Sequence, residues 1–195
     1  MLRILGFFIC GILYGQIQET QTWDATEINS IHLNFPWASS ISVSTHKHSS
    51  IKVKYQKEGE YQNLYLIRSN IKGAGFYLDE YEMPNSEKPG DKLSAHKVVA
   101  NQIELEIPES MLLNLVAKEA KIKCSGIFEL LNINIDHGSA VFSISNPSGE
   151  IKSLSADLHF FDLYDINSIK LPVYLYPPQS APGIHYSHTC LGDYK

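Results

Sequence analysis

Residues 111–166 read MLLNLVAKEAKIKCSGIFELLNINIDHGSAVFSISNPSGEIKSLSADLHFFDLYDI. Three short runs inside this stretch resemble one another: Leu113-Asn114-Leu115, Leu131-Asn132-Ile133 and Lys152-Ser153-Leu154, at offsets of 18 and 21 residues. Turn formers fall between them at Ser125-Gly126, His137-Gly138-Ser139 and Asn146-Pro147-Ser148-Gly149. Self-similarity at a short, near-fixed period is the sequence signature of stacked repeats, each of which buries its apolar face only against its neighbours. Within the units, Leu131, Ile133 and Ile135 share one parity, and Asn132 and Asn134 share the other. Ala140, Phe142 and Ile144 form the next apolar set, followed by Leu154, Ala156, Leu158 and Phe160. Alternation of this kind predicts half-buried strands.

The start of the stretch reads two ways. Pro108-Glu109 followed by Leu112, Leu115 and Val116 has helical spacing, whereas Leu113, Leu115 and Ala117 have strand spacing. Alignment with the next two units favours the strand. The fold expected is all-β: a short β-solenoid of stacked coils over 98–176, preceded by an antiparallel or mixed β region over 28–82.

The preceding region supports that class. Ile31, Leu33 and Phe35, then Ile41 and Val43, then Ile51, Val53 and Tyr55 alternate with polar residues. Strand patterns continue over 61–71 and 76–81, with Gly73-Ala74-Gly75 as the turn between them. Residues 83–97 hold Pro84, Pro89 and Gly90 with little to bury, and predict a long loop. Residues 16–27 read as a polar leader, and 177–195, after Pro177-Pro178, as a tail.

Met1-Leu2-Arg3, the apolar run Ile4–Leu13 and the polar turn at Gly15-Gln16 have the layout of a secretory signal peptide over 1–15. The apolar run is too short to span a bilayer, so no stable membrane span is expected once it is removed. The implied location is exported: periplasmic, cell-surface or extracellular. Removal also takes away Cys10, leaving Cys124 and Cys190 to pair or to stay apart, and Cys124 has the alternation of a small buried residue.

At 195 residues, 44% hydrophobic and 19% charged, the chain has enough apolar material for a real core. A net charge of −5 with only Arg3 and Arg68 argues against a nucleic-acid partner, whose phosphates require a concentrated basic surface.

The order of parts resembles the bacterial "putative adhesin" β-solenoid family, secreted or envelope domains common in Bacteroidetes-like bacteria. The likeness covers about 31–175. It lies in the paired strands Ile41-Ser42-Val43 and Ile51-Lys52-Val53, the strand ending Ile107-Pro108, and short coils such as Ile122-Lys123-Cys124-Ser125-Gly126. It implies an exported, non-catalytic domain with an adhesion, envelope or scaffold role, and a glycan, envelope component or matrix protein as partner. It carries over no active-site residue.

Several constellations bear on chemistry. His46-Lys47-His48 places two imidazoles on one strand face, and His185, His188 and Cys190 offer N, N and S donors in the tail. Neither fixes a complete metal set. Ser155, Asp157 and His159 share one strand face, but i and i+2 side chains stand roughly 7 Å apart, beyond the hydrogen-bond reach a triad needs. Asp157, Asp162 and Asp165 are the acids a carbohydrate-active enzyme would draw on, which is the alternative function; a metal-binding secreted protein is a third. Tyr55, Tyr61, Tyr65, Tyr77 and Tyr81 serve cross-strand packing or, where exposed, stacking on a sugar or protein. No phosphate loop, zinc-protease helix motif or Cys-x-x-Cys occurs, so no catalytic, metal-ligating or cofactor-binding residue is assigned.

Overall fold

The computed structural model describes residues 17–58, 64–84, 100–145 and 148–161, together with the strands Val173–Leu175 and Ile184–Ser187. No helix occurs among them. Strands β1 (Ile17–Asp24), β2 (Ser30–Phe35), β3 (Ser40–His46), β4 (Ser50–Glu58), β5 (Tyr65–Lys72) and β6 (Gly75–Glu82) precede β7 (Ala100–Pro108). Then follow the long run β8 (Met111–Ser145), β9 (Gly149–Phe161), β10 (Val173–Leu175) and β11 (Ile184–Ser187). The expected all-β class holds.

The strands make one mixed sheet curled into a half-barrel. Antiparallel pairing joins β1 to β4, β4 to β7 and β5 to β6. The rest is parallel. β2 lies between β6 and residues 112–117 of β8, and β3 lies between β7 and residues 121–125 of β8. Residues 131–143 of β8 pair in parallel with β9, which in turn pairs with β10 and β11. One run, β8, thus serves three successive partners, β2, β3 and β9, and the chain must turn a corner between one and the next.

The corner has a physical signature in the burial pattern. Along 111–117 inward and outward side chains alternate, but Lys118 and Glu119 are exposed in succession before Ala120 turns inward. The same doubling occurs at Pro36-Trp37 before Ala38 and at Leu154-Ser155 before Ala156. Two outward residues in a row reset the period-two phase, so the next strand faces its apolar side into the same interior from a new direction. Phe35, Phe76, Phe142, Phe160, Ile31, Ile41 and Leu105 therefore share a single core, in which Phe142 stacks on Phe160 at 4.9 Å.

Met111–Lys121 is strand, which settles the ambiguity at the start of the quoted stretch. Three other readings are corrected. Residues 17–24 of the expected leader form β1, because Gln and Thr are acceptable in a strand and β4 offers a free edge to pair with. Ser125-Gly126 and His137-Gly138-Ser139, read as turns between units, lie within the continuous run of β8 and bend it without reversing it. The third copy begins at Gly149-Glu150-Ile151, since Leu131 pairs with Gly149, making the offset 18 rather than 21. Gly149 misled the reading because glycine signals a turn; here φ is +130°, and a Cβ would fall 2.1 Å from the Leu131 carbonyl oxygen. Met83 and Pro84 follow β6 directly, and the rest of the expected loop lies outside the described residues.

Candidate functional site

The corner between β2 and β3 rests on a buried polar cluster. Pro36 ends β2, and Trp37 and Ala38 carry the chain round to β3. Beneath them sits Glu80, 3% exposed, whose inward position follows from the parity of Phe76, Leu78 and Glu80 along β6. Three donors converge on its carboxylate: Tyr55 Oη at 3.1 Å and Asn101 Nδ2 at 2.7 Å on Oε1, and the Trp37 amide at 2.9 Å on Oε2. Burial pushes the Glu80 carboxyl above its ordinary range, opposed by the bonds from Trp37, Asn101, Tyr55 and Ala38. The Tyr55 phenol is raised as well, first by burial and then by the Glu80 charge. Asn101 also receives the corner through its carbonyl, which accepts from the Ser39 amide and hydroxyl, both at 2.9 Å. A buried Lys57 lies 5.0 Å over the Tyr55 ring and pairs with Glu19 of β1 at 3.4 Å.

This anchored corner forms one wall of a groove of about 630 Å³. Trp37 and Ser39 contribute from the β2–β3 corner, Glu119 and Lys121 from β8, and Asp157 from β9. Gly138 forms part of the lining beside Ser139. A Cβ on Gly138 would lie 2.2 Å from the Ala120 carbonyl oxygen, so the two stretches pack backbone to backbone there. The Trp37 indole is stacked on Tyr65 of β5 at 4.8 Å and 17° between planes. One aromatic, three charged groups and two hydroxyls thus meet along a concave strip.

A second row crosses the outer wall. Tyr77 stacks on His32 at 4.4 Å, His32 Nδ1 lies 3.3 Å from Asn114 Nδ2, and Asn132 donates to Asn114 Oδ1 at 2.9 Å. The Glu150 amide then donates to Asn132 Oδ1 at 3.2 Å, and Lys152 bonds Glu150 at 2.6 Å. Lys72 extends the row over the face of Tyr77. The Asn114, Asn132 and Glu150 steps are each 18 residues long.

The groups singled out from sequence have the following places. His46 and His48 have ring centres 5.6 Å apart, and His46 Nδ1 accepts from the His48 amide. Among the described residues no set of three or more His, Cys, Asp or Glu gathers around a metal-sized space. Ser155 meets His137 of the preceding strand at 2.6 Å instead of Asp157 or His159, and the pair is exposed. Asp157 lines the groove; Asp162 and Asp165 lie outside the described residues, as do Tyr61, His188 and Cys190, and His185 is described only as part of β11. Cys124 is a free thiol in the core, its pKa pushed up to about 12 by burial. Tyr55 is buried, Tyr65 and Tyr77 stack on Trp37 and His32, and Arg68 lies 5.6 Å over Tyr81. Sequence reading passed over Trp37, Glu80, Asn101, Lys57 and Glu119, although strand parity marks Glu80, Asn101 and Lys57 as inward polar residues.

No family model and no curated protein matches the sequence. Solved structures do. A "putative cell adhesion protein" from Clostridium sporogenes superposes with a TM-score of 0.51 at 13% identity, over 81% of this chain and 73% of that one. The chain shares that protein's fold. A "putative adhesin" from Parabacteroides distasonis (TM-score 0.30, 11% identity, 74% of this chain and 69% of that one) is more distant. So is a "putative lipid binding protein" from the same species, at 0.29 and 11% over 74% and 78%. The resemblance seen in the sequence is thus met, at the level of the fold, by a structure described as a putative cell adhesion protein. Among the described residues, no helix is long and apolar enough to cross a membrane.

Proposed function

We propose that the chain is an exported, non-catalytic β-solenoid module that adheres to a glycan, an envelope component or a matrix protein. The observation that carries this reading is the anchored corner groove, a concave strip of aromatic and polar groups held on regular strands. Side chains 18 residues apart, Asn114 beside Asn132 and Gly138 against Ala120, support successive coils of a solenoid. The shared fold with a protein described as a cell adhesion protein supports the role, and the apolar run before Gln16 supports export.

Two measurements test it. Expressed in a bacterial host, the full chain should yield a product lacking residues 1–15 outside the cytosol, as read by mass spectrometry; an intact cytosolic product refutes export. The exported chain should bind at least one of a glycan array, peptidoglycan and matrix proteins. Silence across all three refutes adhesion.

A carbohydrate-active enzyme is the second reading, favoured by Glu119 and Asp157 lining the same groove. It requires turnover of a polysaccharide that Asp157→Asn abolishes. Binding that persists with no product formed decides for the module.

A further inference from the structure

We propose that the corner groove is a subsite for neutral saccharide, with Trp37 as its stacking platform and Glu119 and Asp157 as hydroxyl acceptors. This rests on the adhesive reading above and names its site and ligand class. Sugar rings present an apolar face of C–H groups edged by hydroxyls, so they call for an aromatic surface flanked by strong acceptors. Trp37 supplies the first, and three contacts hold it in place. Tyr65 stacks on its ring, its amide is bonded to the buried Glu80, and the neighbouring Ser39 amide and hydroxyl are bonded to the Asn101 carbonyl. A platform fixed in advance loses little conformational freedom on binding.

The acceptors lie along the same strip. Glu119 and Asp157 are both exposed and belong to different strands, and Ser39 and Ser139 share the lining with them. The volume of about 630 Å³ lies within the ~300–1,000 Å³ common to ligand clefts. Charge then selects among sugars. Two carboxylates against the single ammonium of Lys121 leave the lining net negative, which disfavours uronates and other acidic sugars by like-charge contact.

The test is calorimetric titration of the exported chain with three probes: a β-1,4-linked glucose tetrasaccharide, an N-acetylglucosamine tetrasaccharide and a galacturonate tetrasaccharide. At least one neutral probe should bind tenfold or more tightly than the galacturonate. Trp37→Ala should weaken that binding at least tenfold. Because Trp37 also packs on Tyr65, the exposed double variant Glu119→Gln/Asp157→Asn is measured in parallel and should weaken it at least fivefold with the melting curve unchanged. Galacturonate binding as tightly as the neutral probes, or neutral binding unaltered in the double variant, overturns the assignment. If the groove variants still adhere to the envelope or matrix target at full strength, the adhesive reading stands and the groove assignment falls. If the unaltered chain binds none of the three probes, the groove assignment falls; the adhesive reading falls with it only if the glycan array, peptidoglycan and matrix proteins are silent as well.

Discussion

Replacing Glu80 is the sharpest test of how the corner is held. Glu80→Ala strips the acceptor from Tyr55 Oη, Asn101 Nδ2 and the Trp37 amide. Tyr55 and Asn101 are 0% and 1% exposed, so water cannot readily take the place of the carboxylate there. A buried donor left unsatisfied costs about 1–3 kcal/mol. Trp37 is only half-buried and recovers part of its loss by hydration. Two stranded donors and a fraction of a third give a loss of about 4 kcal/mol, a large share of the ~5–15 kcal/mol that holds a typical domain. Glu80→Gln should behave differently. Asn101 Oδ1 is a buried acceptor without a partner among the described residues, so the new amide can donate to it if the Asn101 side chain turns over. That variant should lose only about 1 kcal/mol. Urea unfolding of the chain, followed by circular dichroism, reads both values. A loss below about 1 kcal/mol for the alanine variant, or equal losses for the two, refutes the convergence argument.

The same pair of proteins gives a pH test with a definite sign. Burial raises the Glu80 carboxyl above its ordinary value near 4.5, so between the ordinary and the raised value the folded state holds more protons than the unfolded one. Stability contributed by Glu80 is therefore complete below about pH 4.5 and declines as pH rises through the raised value. The advantage of wild type over Glu80→Gln should be greater at pH 4 than at pH 7; the opposite order sinks the assignment.

Other outcomes follow from single contacts. Cys124, wholly buried with its thiol pushed up to about 12, should resist alkylation at pH 8 in the native chain and react at once in urea; ready native labelling contradicts its place in the core. Phe142→Ala removes a fully buried ring stacked on Phe160 and should cost about 3–5 kcal/mol in the same unfolding assay. Gly138→Ala meets both a φ of +112° and the Ala120 carbonyl oxygen, and should cost at least about 2 kcal/mol; a neutral result would mean that the strand does not pass that close.

Much of the architecture was readable because strand parity is a local property. Ile31, Leu33 and Phe35, or Ile103, Leu105 and Ile107, announce an inward face without knowledge of what they meet. The places where reading failed have a common cause. Gly126, Gly138 and Gly149 are small for lack of room beside the neighbouring strand, and composition alone cannot distinguish that need from the need of a turn. β1 was missed because its polar text carries no pattern, and its order comes from the edge of β4.

The candidate site divides in the same way. The sequence by itself determined that Tyr55 and Lys57, Glu80 and Asn101 point inward, since each continues the parity of an apolar run. Only the tertiary structure decided that they meet, because Glu80 reaches partners 25, 21 and 43 residues away. It likewise brought Trp37, Glu119 and Asp157 to one groove from three separate strands or corners. Direction along a strand is set by neighbours in the chain, whereas proximity across a sheet is set by pairing register and by where the chain turns its corners.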